Sequence, residues 1–272
     1  MTNLSRLFVL TLFLLVGARS ATAQIYIGAS LAHDREVSIG SSYEGTIPIS
    51  NSTDEAVEVR LYITDYRFSA DGYNWYDEPG TQDRSNALWI GFGNPIVTIP
   101  ARSTMEVAYR VDVPDDPNLE GSYWSMLMIE AISSESIEST LGDSEVSSPQ
   151  FGVRRRIRYG VQIATHVIET GQAVLSLASP ELVENEVGGS RFSVIVENTG
   201  NRLAESHVYI DLFDSTGRNV GRFDGSRARI YPGTSFKHSV PIIVEKGGRY
   251  EALLVIDIGD DNAYGAQYTL EL

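Results

Sequence analysis

Histidines are the first residues to consider for chemistry, and this chain has four of them and no cysteine. They are His33, His166, His207 and His238. None stands at a ligand spacing such as His-x-x-x-His, and no thiolate accompanies them, so we expect no metal site of the nitrogen and sulfur kind. Each histidine is more typical of a strand surface or a strand edge.

An acidic turn near the end of the chain is the second candidate. Asp257, Asp260, Asp261 and Asn262 bring oxygen-bearing side chains close together, and oxygen ligands could hold Ca²⁺. The Asp-x-Asp-x-Asp-Gly pattern of a calcium-binding loop is absent, however, and this composition is common in hairpin turns. We therefore favour an ordinary turn, and we predict no metal and no cofactor.

Catalytic motifs are absent from the sequence. It has no Gly-x-Ser-x-Gly elbow, no phosphate-binding loop and no dinucleotide-binding fingerprint. Paired carboxylates carry no information here, because a chain with 36 acidic residues always offers pairs. We predict a protein that is not an enzyme and that acts by binding another protein.

One basic cluster is unusual in so acidic a chain, whose net charge is −15. Its members are Arg154, Arg155, Arg156 and Arg158. Alternate positions of the same stretch are apolar, namely Phe151, Val153, Ile157, Tyr159, Val161 and Ile163. Two interpretations stay open: a solvated strand face, or a site that binds carboxylates through bidentate hydrogen bonds.

The overall charge limits the possible partners. The chain has 21 basic and 36 acidic residues. Nucleic acids and anionic lipids both need a basic surface, so neither is an expected partner.

The first residues have the pattern of an export signal. Arg6 precedes an apolar run from Leu7 to Val16, and Ala21-Thr22-Ala23 offers the small residues of a cleavage site. We predict a signal peptide over residues 1–23. The run is too short to span a bilayer. The predicted location is the periplasm, or outside the cell, without membrane insertion.

Strand patterns dominate from Gln24 onward. Short runs rich in Val, Ile, Tyr and Thr alternate apolar with polar residues, as at 106–113 and 206–213, and turn residues separate them. No segment keeps a period of 3.6 residues over three turns. The pattern predicts an all-β fold of sandwiches or barrels.

An internal repeat divides the chain. An Asn-containing turn at 49–52 recurs at 196–199, a Pro-containing turn at 99–103 recurs at 231–235, and a Gly-x-Tyr stretch at 121–123 recurs at 248–250. We predict two immunoglobulin-like β-sandwich domains in tandem, 24–168 and 169–272, with a cleft between them. The Ser- and Glu-rich stretch 133–150 is predicted to be a long hairpin loop.

Several stretches together resemble the periplasmic pilus-assembly chaperones, over most of the mature chain. Ser30-Leu31 precedes Arg35, and Ile49-Ser50-Asn51 follows at the spacing of that family. Ile157-Arg158-Tyr159 is similar to the family's lysine-bearing segment, late in the last strand of the first domain. Glu120-Gly121-Ser122-Tyr123-Trp124 is similar to the family's acidic residue and aromatic strand start.

The resemblance implies specific roles for some residues. Arg35 falls where the family has an invariant cleft arginine, and Arg158 takes the lysine position, with Arg156 as the close alternative. In the family, these two basic residues hold the C-terminal carboxylate of a pilin subunit. Arg110 is similar to a structural arginine that forms an interdomain salt bridge with the acid at the position of Glu120.

The resemblance also implies a mechanism, which is strand donation. A client subunit that lacks one strand exposes a groove, and an edge strand of the chaperone fills it; this chaperone family is a known case of β-augmentation. Phe151 and Val153 would be the donated side chains. The implied partners are exported pilin-like subunits and an outer-membrane usher.

An alternative function uses the same fold differently. The two sandwiches could serve as a non-catalytic structural or adhesive module of the cell surface, acting as spacers or as glycan- or protein-binding domains. An enzyme is the third and most distant possibility.

Overall fold

The computed structural model describes residues 25–132, 157–184, 188–259 and 262–272. These residues form strands β1 to β17 and one short 3-10 turn, Ala87–Trp89. Several predictions lie outside the described residues: the signal peptide, the 133–150 loop, Phe151, Val153, Arg156, Asp260 and Asp261. No helix among the described residues is long and apolar enough to cross a membrane.

The first sandwich consists of two facing sheets. One has the order β1 (Ile25–Ile27), β3 (Ser42–Asn51), β8 (Thr104–Asp112) and β6 (Ile90–Phe92). The other has the order β2 (Ala32–Val37), β10 (Arg158–Val167), β9 (Ser122–Ile132), β4 (Val57–Phe68) and β5 (Asn74–Asp77). A further strand, β7 (Ile96–Ile99), pairs with β4.

The second sandwich also has two sheets. One has the order β11 (Leu175–Glu184), β12 (Ser190–Asn198) and β15 (Ser235–Ile242). The other has the order β14 (Asn219–Ile230), β13 (Ala204–Phe213), β16 (Arg249–Asp257) and β17 (Ala263–Glu271). The prediction of an all-β fold with two immunoglobulin-like sandwiches in tandem is confirmed. The division at 168/169 falls between β10 and β11 and stays a prediction.

Alternation along the strands explains the two cores. In β8, Val107, Tyr109 and Val111 are buried while the residues between them are exposed. Because successive side chains of a strand point to opposite faces, such a strand covers one apolar core and leaves its other face to solvent. Each pair of sheets encloses its own cluster of buried apolar side chains.

Strand β9 departs from this alternation, since its first eight residues are all buried. Leu127 and Ile129 belong to the core of the first sandwich. On the opposite face, Trp124 joins a small separate cluster with Ala164 and with Tyr231 of the second sandwich. The rings of Trp124 and Tyr231 lie 4.5 Å apart. At Trp124, the extra burial of β9 therefore comes from contact between the two sandwiches.

Gly121 permits close contact between the sandwiches at the start of β9. Its φ is +71°, which non-glycine residues rarely adopt, and an added Cβ would lie 1.9 Å from the Asn201 carbonyl oxygen. The next residue, Ser122, donates its backbone N–H to that same carbonyl at 2.9 Å. The Gly-x-Tyr stretch noted in the sequence thus places the second sandwich directly against the first.

Candidate functional site

The flank of β10 is the first feature that can bind another chain. Strand β2 runs parallel to β10 and pairs with it only from Gln162 to Val167. On its other side, β10 pairs with β9 along its length from Arg158 to His166. Among the described residues, the stretch from Arg158 to Val161 therefore has a strand neighbour on one side only.

The hydrogen bonds along β10 show which backbone groups face this flank. Gln162 donates its N–H to Leu31 on the β2 side, whereas Val167 donates its N–H to Gly121 on the β9 side. Backbone groups alternate direction along a strand. The N–H and C=O groups of Arg158 and Gly160 therefore point outward, which is the arrangement that an added strand requires.

The rim beside this flank is partly apolar. Ile157 is 40% exposed just before β10 begins. The Tyr159 hydroxyl donates to the Ile25 carbonyl at 2.8 Å and links β10 to β1, the edge strand of the facing sheet. An incoming strand would therefore meet both the open backbone of β10 and apolar side chains at its rim.

Arg158 lies at this flank on the outer face of the sheet. It is exposed, and it pairs in register with Glu130 of β9. Hydrogen bonding with Tyr62 and the charge of Glu130 raise the pKa of its guanidinium. Its side chain is accessible to a carboxylate of a bound partner.

Arg35 lies elsewhere, on β2. Its guanidinium donates to the Asp34 carbonyl at 3.1 Å. It lines a surface groove of about 550 Å³ together with His33, Glu44 and Tyr109. Within this groove the His33 ring nitrogen and the Tyr109 hydroxyl lie 2.8 Å apart.

The structure does not bring Arg35 and Arg158 together, so the expected site in which both arginines hold one carboxylate does not form. Arg35 pairs with Thr165, whereas Arg158 pairs with Glu130 at the other end of β10. Residues 158 and 165 are seven apart, or about 23 Å at roughly 3.3 Å per residue. An odd separation also places the two side chains on opposite faces of the sheet. One carboxylate cannot contact both.

Arg110 and Glu120 are not partners either. Arg110 donates to Asp112 at 2.8 Å and to Ser42 at 2.6 Å, within the first sandwich. The Glu120 carboxylate accepts a hydrogen bond of 2.7 Å from the side chain of Asn201 in the second sandwich. The expected salt bridge fails because Arg110 lies on β8, in the sheet that faces away from the junction.

The charged contacts between the sandwiches involve residues that the sequence analysis did not single out. Arg229 on β14 donates to both carboxylate oxygens of Asp34, with 2.9 Å for one pair. The Asp34 carboxylate also lies 3.2 Å from the Nε2 of His166. Burial would raise the pKa of Asp34, but hydrogen bonds from His166 and Arg229 outweigh it and lower that pKa to about 2.

A second arginine strengthens this junction. Arg202 donates to the Glu36 carboxylate at 2.5 Å and to the carbonyls of Val167 and Thr170. Asp34 and Glu36 lie two residues apart on β2, so both face the second sandwich. No local pattern could have identified these pairs, because the residues that they join lie more than 160 positions apart.

The described histidines and acids do not form a metal centre. Within residues 25–132, 157–184, 188–259 and 262–272, no group of three His, Cys, Asp or Glu side chains is placed to hold an ion. His238 and His166 both contact serine side chains. His238 lies between Ser206 and Ser226, at 3.0 and 2.9 Å, and His166 contacts Ser122 at 2.8 Å.

Comparisons with known proteins find likenesses in structure but none in sequence. No protein-family model matches the chain, and no curated protein matches it. The chain is similar to the class 5 fimbriae chaperone CfaA, with a TM-score of 0.47 and 13% identity over 89% of this chain and 98% of that one.

Two further solved structures show the same degree of likeness. A chaperone–tip adhesin complex of CFA/I fimbriae gives a TM-score of 0.46 and 14% identity, over 91% of this chain and 98% of the other. The CsuC–CsuE pre-assembly complex from Acinetobacter baumannii gives a TM-score of 0.44 and 12% identity, over 90% of this chain and 98% of the other. All three are described as fimbrial or pilus chaperones or their complexes, and likenesses at this level identify no partner or site in this chain.

Proposed function

We propose that this chain is a periplasmic, non-enzymatic chaperone-like protein that binds exported, strand-rich subunits by edge-strand pairing at β10. The observation that carries the proposal is the flank of β10 from Arg158 to Val161, beside which the described residues place no strand on the β2 side. Unpaired N–H and C=O groups on a strand edge are a template for a strand of another chain.

The sequence before β10 supports a longer binding strand. Phe151, Val153 and Ile157 occupy odd positions, in phase with Val161 and Ile163, which point into the core of the first sandwich. Side chains in phase share one face of an extended strand. When a client pairs with this segment, Phe151 and Val153 are proposed to enter its groove.

The charge of Arg158 is proposed to contribute to client binding on the outer face of the same strand. Arg158 is exposed beside the open flank, and arginine binds carboxylates through two parallel hydrogen bonds. A client carboxylate is proposed to meet Arg158, with Arg156 as its sequence neighbour. Arg35 is not part of this anchor, because its register position is at the far end of β10.

The partners follow from this mode of binding. Clients are proposed to be exported pilin-like subunits that lack a strand, because such subunits expose an apolar groove and need temporary cover. An outer-membrane usher that takes the subunit from this protein is part of the same proposal. The rival function, a structural or adhesive surface module, requires no open flank on β10.

A substitution at Arg158 separates backbone pairing from charge. Arg158→Pro removes an outward N–H while leaving the β9 ladder intact, because proline cannot donate a ladder hydrogen bond. Arg158→Gln removes the charge but keeps the N–H, so it is the matched control. Co-expression with an exported strand-rich subunit and co-purification from the periplasm measures capture.

We expect Arg158→Pro to lower the recovered subunit by about tenfold, because the missing N–H leaves a carbonyl of the client strand without its hydrogen bond, at a cost of about 1–3 kcal/mol. Arg158→Gln should show the smaller loss, about fivefold or less, because it removes only an exposed ion pair with the client carboxylate, worth about 0–1 kcal/mol. Both variants should melt like the wild type. If the proline variant is folded and recovers as much subunit as the wild type, edge-strand pairing at β10 is wrong and the surface-module function is favoured.

A further inference from the structure

A second strand edge, in the other sandwich, is also open. In the part of the chain that the structure describes, strand β17 is the outermost strand of its sheet and pairs only with β16, from Ala263 to Glu271. At nine residues it is more than twice as long as the open flank of β10. Among the described residues, no other strand lies along its outer side.

The hydrogen bonds of β17 fix which of its groups face outward. Gly248 and Leu272 exchange both of their backbone hydrogen bonds, at 2.7 and 2.9 Å. In an antiparallel pair such exchanges recur at every second residue. The even residues of β17 therefore bond to β16, and the N–H and C=O groups of its odd residues point away from it. These residues are Ala263, Gly265, Gln267, Thr269 and Glu271.

The other edge strands among the described residues carry features that disfavour pairing. The longest, β14, has two irregularities in its register with β13 and several charged residues, and β15 contains a proline. Strand β11 has a bulge between Ala178 and Glu181, with Pro180 inside it. Strand β2 carries consecutive charges at Asp34, Arg35 and Glu36. Bulges, prolines and charges are the usual means by which edges avoid pairing with another chain. Strand β17 has no bulge, no proline and a charge only at its final residue.

We infer that β17 is the contact through which two copies of this chain pair, with their β17 strands antiparallel across a two-fold axis at Gln267. In this register 263 faces 271, 265 faces 269, and Gln267 faces its own symmetry mate. All five pairs join outward-facing residues, so they give about ten backbone hydrogen bonds. The two four-stranded sheets would become one sheet of eight strands.

The side chains of the outer face fit this register. Glu271 faces Ala263 of the second copy, so the acids at the two strand ends do not oppose each other. Two facing Gln267 side chains can exchange amide hydrogen bonds. In a chain of net charge −15, a nine-residue strand with a single charge limits the repulsion that a second acidic copy meets. The neighbouring acid on β16, Glu251, accepts hydrogen bonds from the Gln267 and Thr269 side chains.

Pairing at this edge needs no rearrangement of the sandwich. The even residues of β17 already contribute to the core, where Leu270 is buried and Tyr268 packs on Phe192 with ring centres 5.0 Å apart. The β10 flank belongs to the other sandwich and is not used. The inference is therefore independent of the proposed function, and either one can fail alone.

One charge at the symmetry axis tests the inference. Gln267→Lys places two ammonium groups directly opposite each other, and like charges in facing positions destabilise a strand pair. Leu253→Lys is the matched control. Leu253 is 40% exposed and lies beside Gln267, one strand further in. The Leu253→Lys substitution adds the same charge to the same face, but the two lysines of a dimer would lie three strand spacings apart, or about 14 Å.

Light scattering after size exclusion, and sedimentation velocity, would be run on the mature chain up to about 500 µM, since an interface of this size is expected to be weak. The wild type and Leu253→Lys should approach twice the monomer mass at the highest concentration. Gln267→Lys and Gln267→Pro should weaken association at least about tenfold.

Four results would overturn the inference. These are a wild type that stays monomeric throughout, a dimer that survives both Gln267 substitutions, equal loss of dimer in Leu253→Lys, and a monomer whose β17 amides become protected from exchange only when a client subunit is added. The last result would assign the edge to a client strand instead of a second copy.

Discussion

The two sandwiches contain the same turn, held by a buried asparagine, but the two copies of the turn have different surroundings. The Asn51 side chain donates to Glu55 and Ile99 and accepts from Thr53. Asn198 repeats this pattern, donating to Arg202 and Ile230 and accepting from Gly200, with the same spacing to the two nearer partners. A single hydrogen-bonding device thus closes both sandwiches.

The difference lies outside the turn. The turn after Asn51 faces solvent, where Asp54 and Arg102 form an exposed ion pair. The turn after Asn198 lies against the first sandwich, through the Asn201 carbonyl and the Arg202 guanidinium. The comparison shows that local sequence determines the turn, whereas its use as a contact surface depends on what the rest of the chain brings to it.

Replacing the two asparagines tests this comparison with the largest expected effect. Asn198→Ala should lower the free energy of unfolding by about 4 kcal/mol, because several buried groups each lose about 1–3 kcal/mol of hydrogen bonding. Asn51→Ala should cost about 2 kcal/mol, since water can reach its turn. Urea unfolding followed by far-UV circular dichroism measures both. Equal losses of unfolding free energy in the two variants would show that contact between the sandwiches adds nothing to the stability of the turn at Asn198.

Acid should affect the second sandwich before the first. His238 is fully buried, and burial lowers its pKa to about 4. Its pKa is lower in the folded than in the unfolded state, so the unfolded chain binds the extra proton. Stability should therefore fall by up to about 3 kcal/mol as the pH drops from about 6.5 to about 4.

The tryptophans report on the first sandwich during this titration, and Trp124 also reports on its contact with Tyr231 of the second sandwich. All three, Trp75, Trp89 and Trp124, lie in the first sandwich. Between pH 6.5 and 4, the unfolding transition seen by circular dichroism should move to lower urea while the tryptophan transition moves less. Identical movement of the two transitions would contradict a separate acid sensitivity of the second sandwich.

Glycine substitutions compare the junction with a free loop. Gly121 and Gly72 both have positive φ, but only Gly121 has a neighbouring atom where a Cβ would be built. Gly72→Ala should cost about 1 kcal/mol from backbone strain, and Gly121→Ala about 2 kcal/mol more, because the second sandwich must move away from Asn201. Thermal unfolding measures the difference, and similar melting temperatures for the two variants would argue against tight contact at Gly121.

The smallest predicted effect concerns Asp34. The pKa of the Asp34 carboxyl is lowered to about 2. Its contribution to the free energy of unfolding is therefore present above about pH 4 and is lost as the pH falls toward 2. Because a third of its side chain is exposed, solvent screening limits this contribution to about 1 kcal/mol. Asp34→Asn should remove that part of the pH dependence. A titration curve unchanged in the variant would show that the Arg229 pair does not stabilise the junction.

The fold was predictable from sequence to a large degree, and the asparagine repeat shows why. Alternating burial along β8 and β13 is a local property, and so are the turns at Asn51 and Asn198. Strand register is not local. A shift along β10 decides whether Arg35 lies beside position 158 or 165, and the sequence has no feature that determines this shift.

The contacts at the junction were out of reach for the same reason. Asp34 and Arg229 are 195 positions apart, and neither belongs to a recognisable motif. Arg110 had a suitable charge for a bridge to Glu120, but its strand belongs to the other sheet. The family resemblance therefore suggested plausible residues without identifying their neighbours in this chain.

The pairing of β2 has a consequence for how the polypeptide is synthesised. This strand is made before its partners, since its backbone partner begins at Gln162 and its ionic partner is Arg229. A nascent chain must keep β2 unpaired until β10 has emerged, and contacts so distant along the chain slow folding. We expect a fragment ending before β10 to leave β2 without a partner and to be cut there first by proteases.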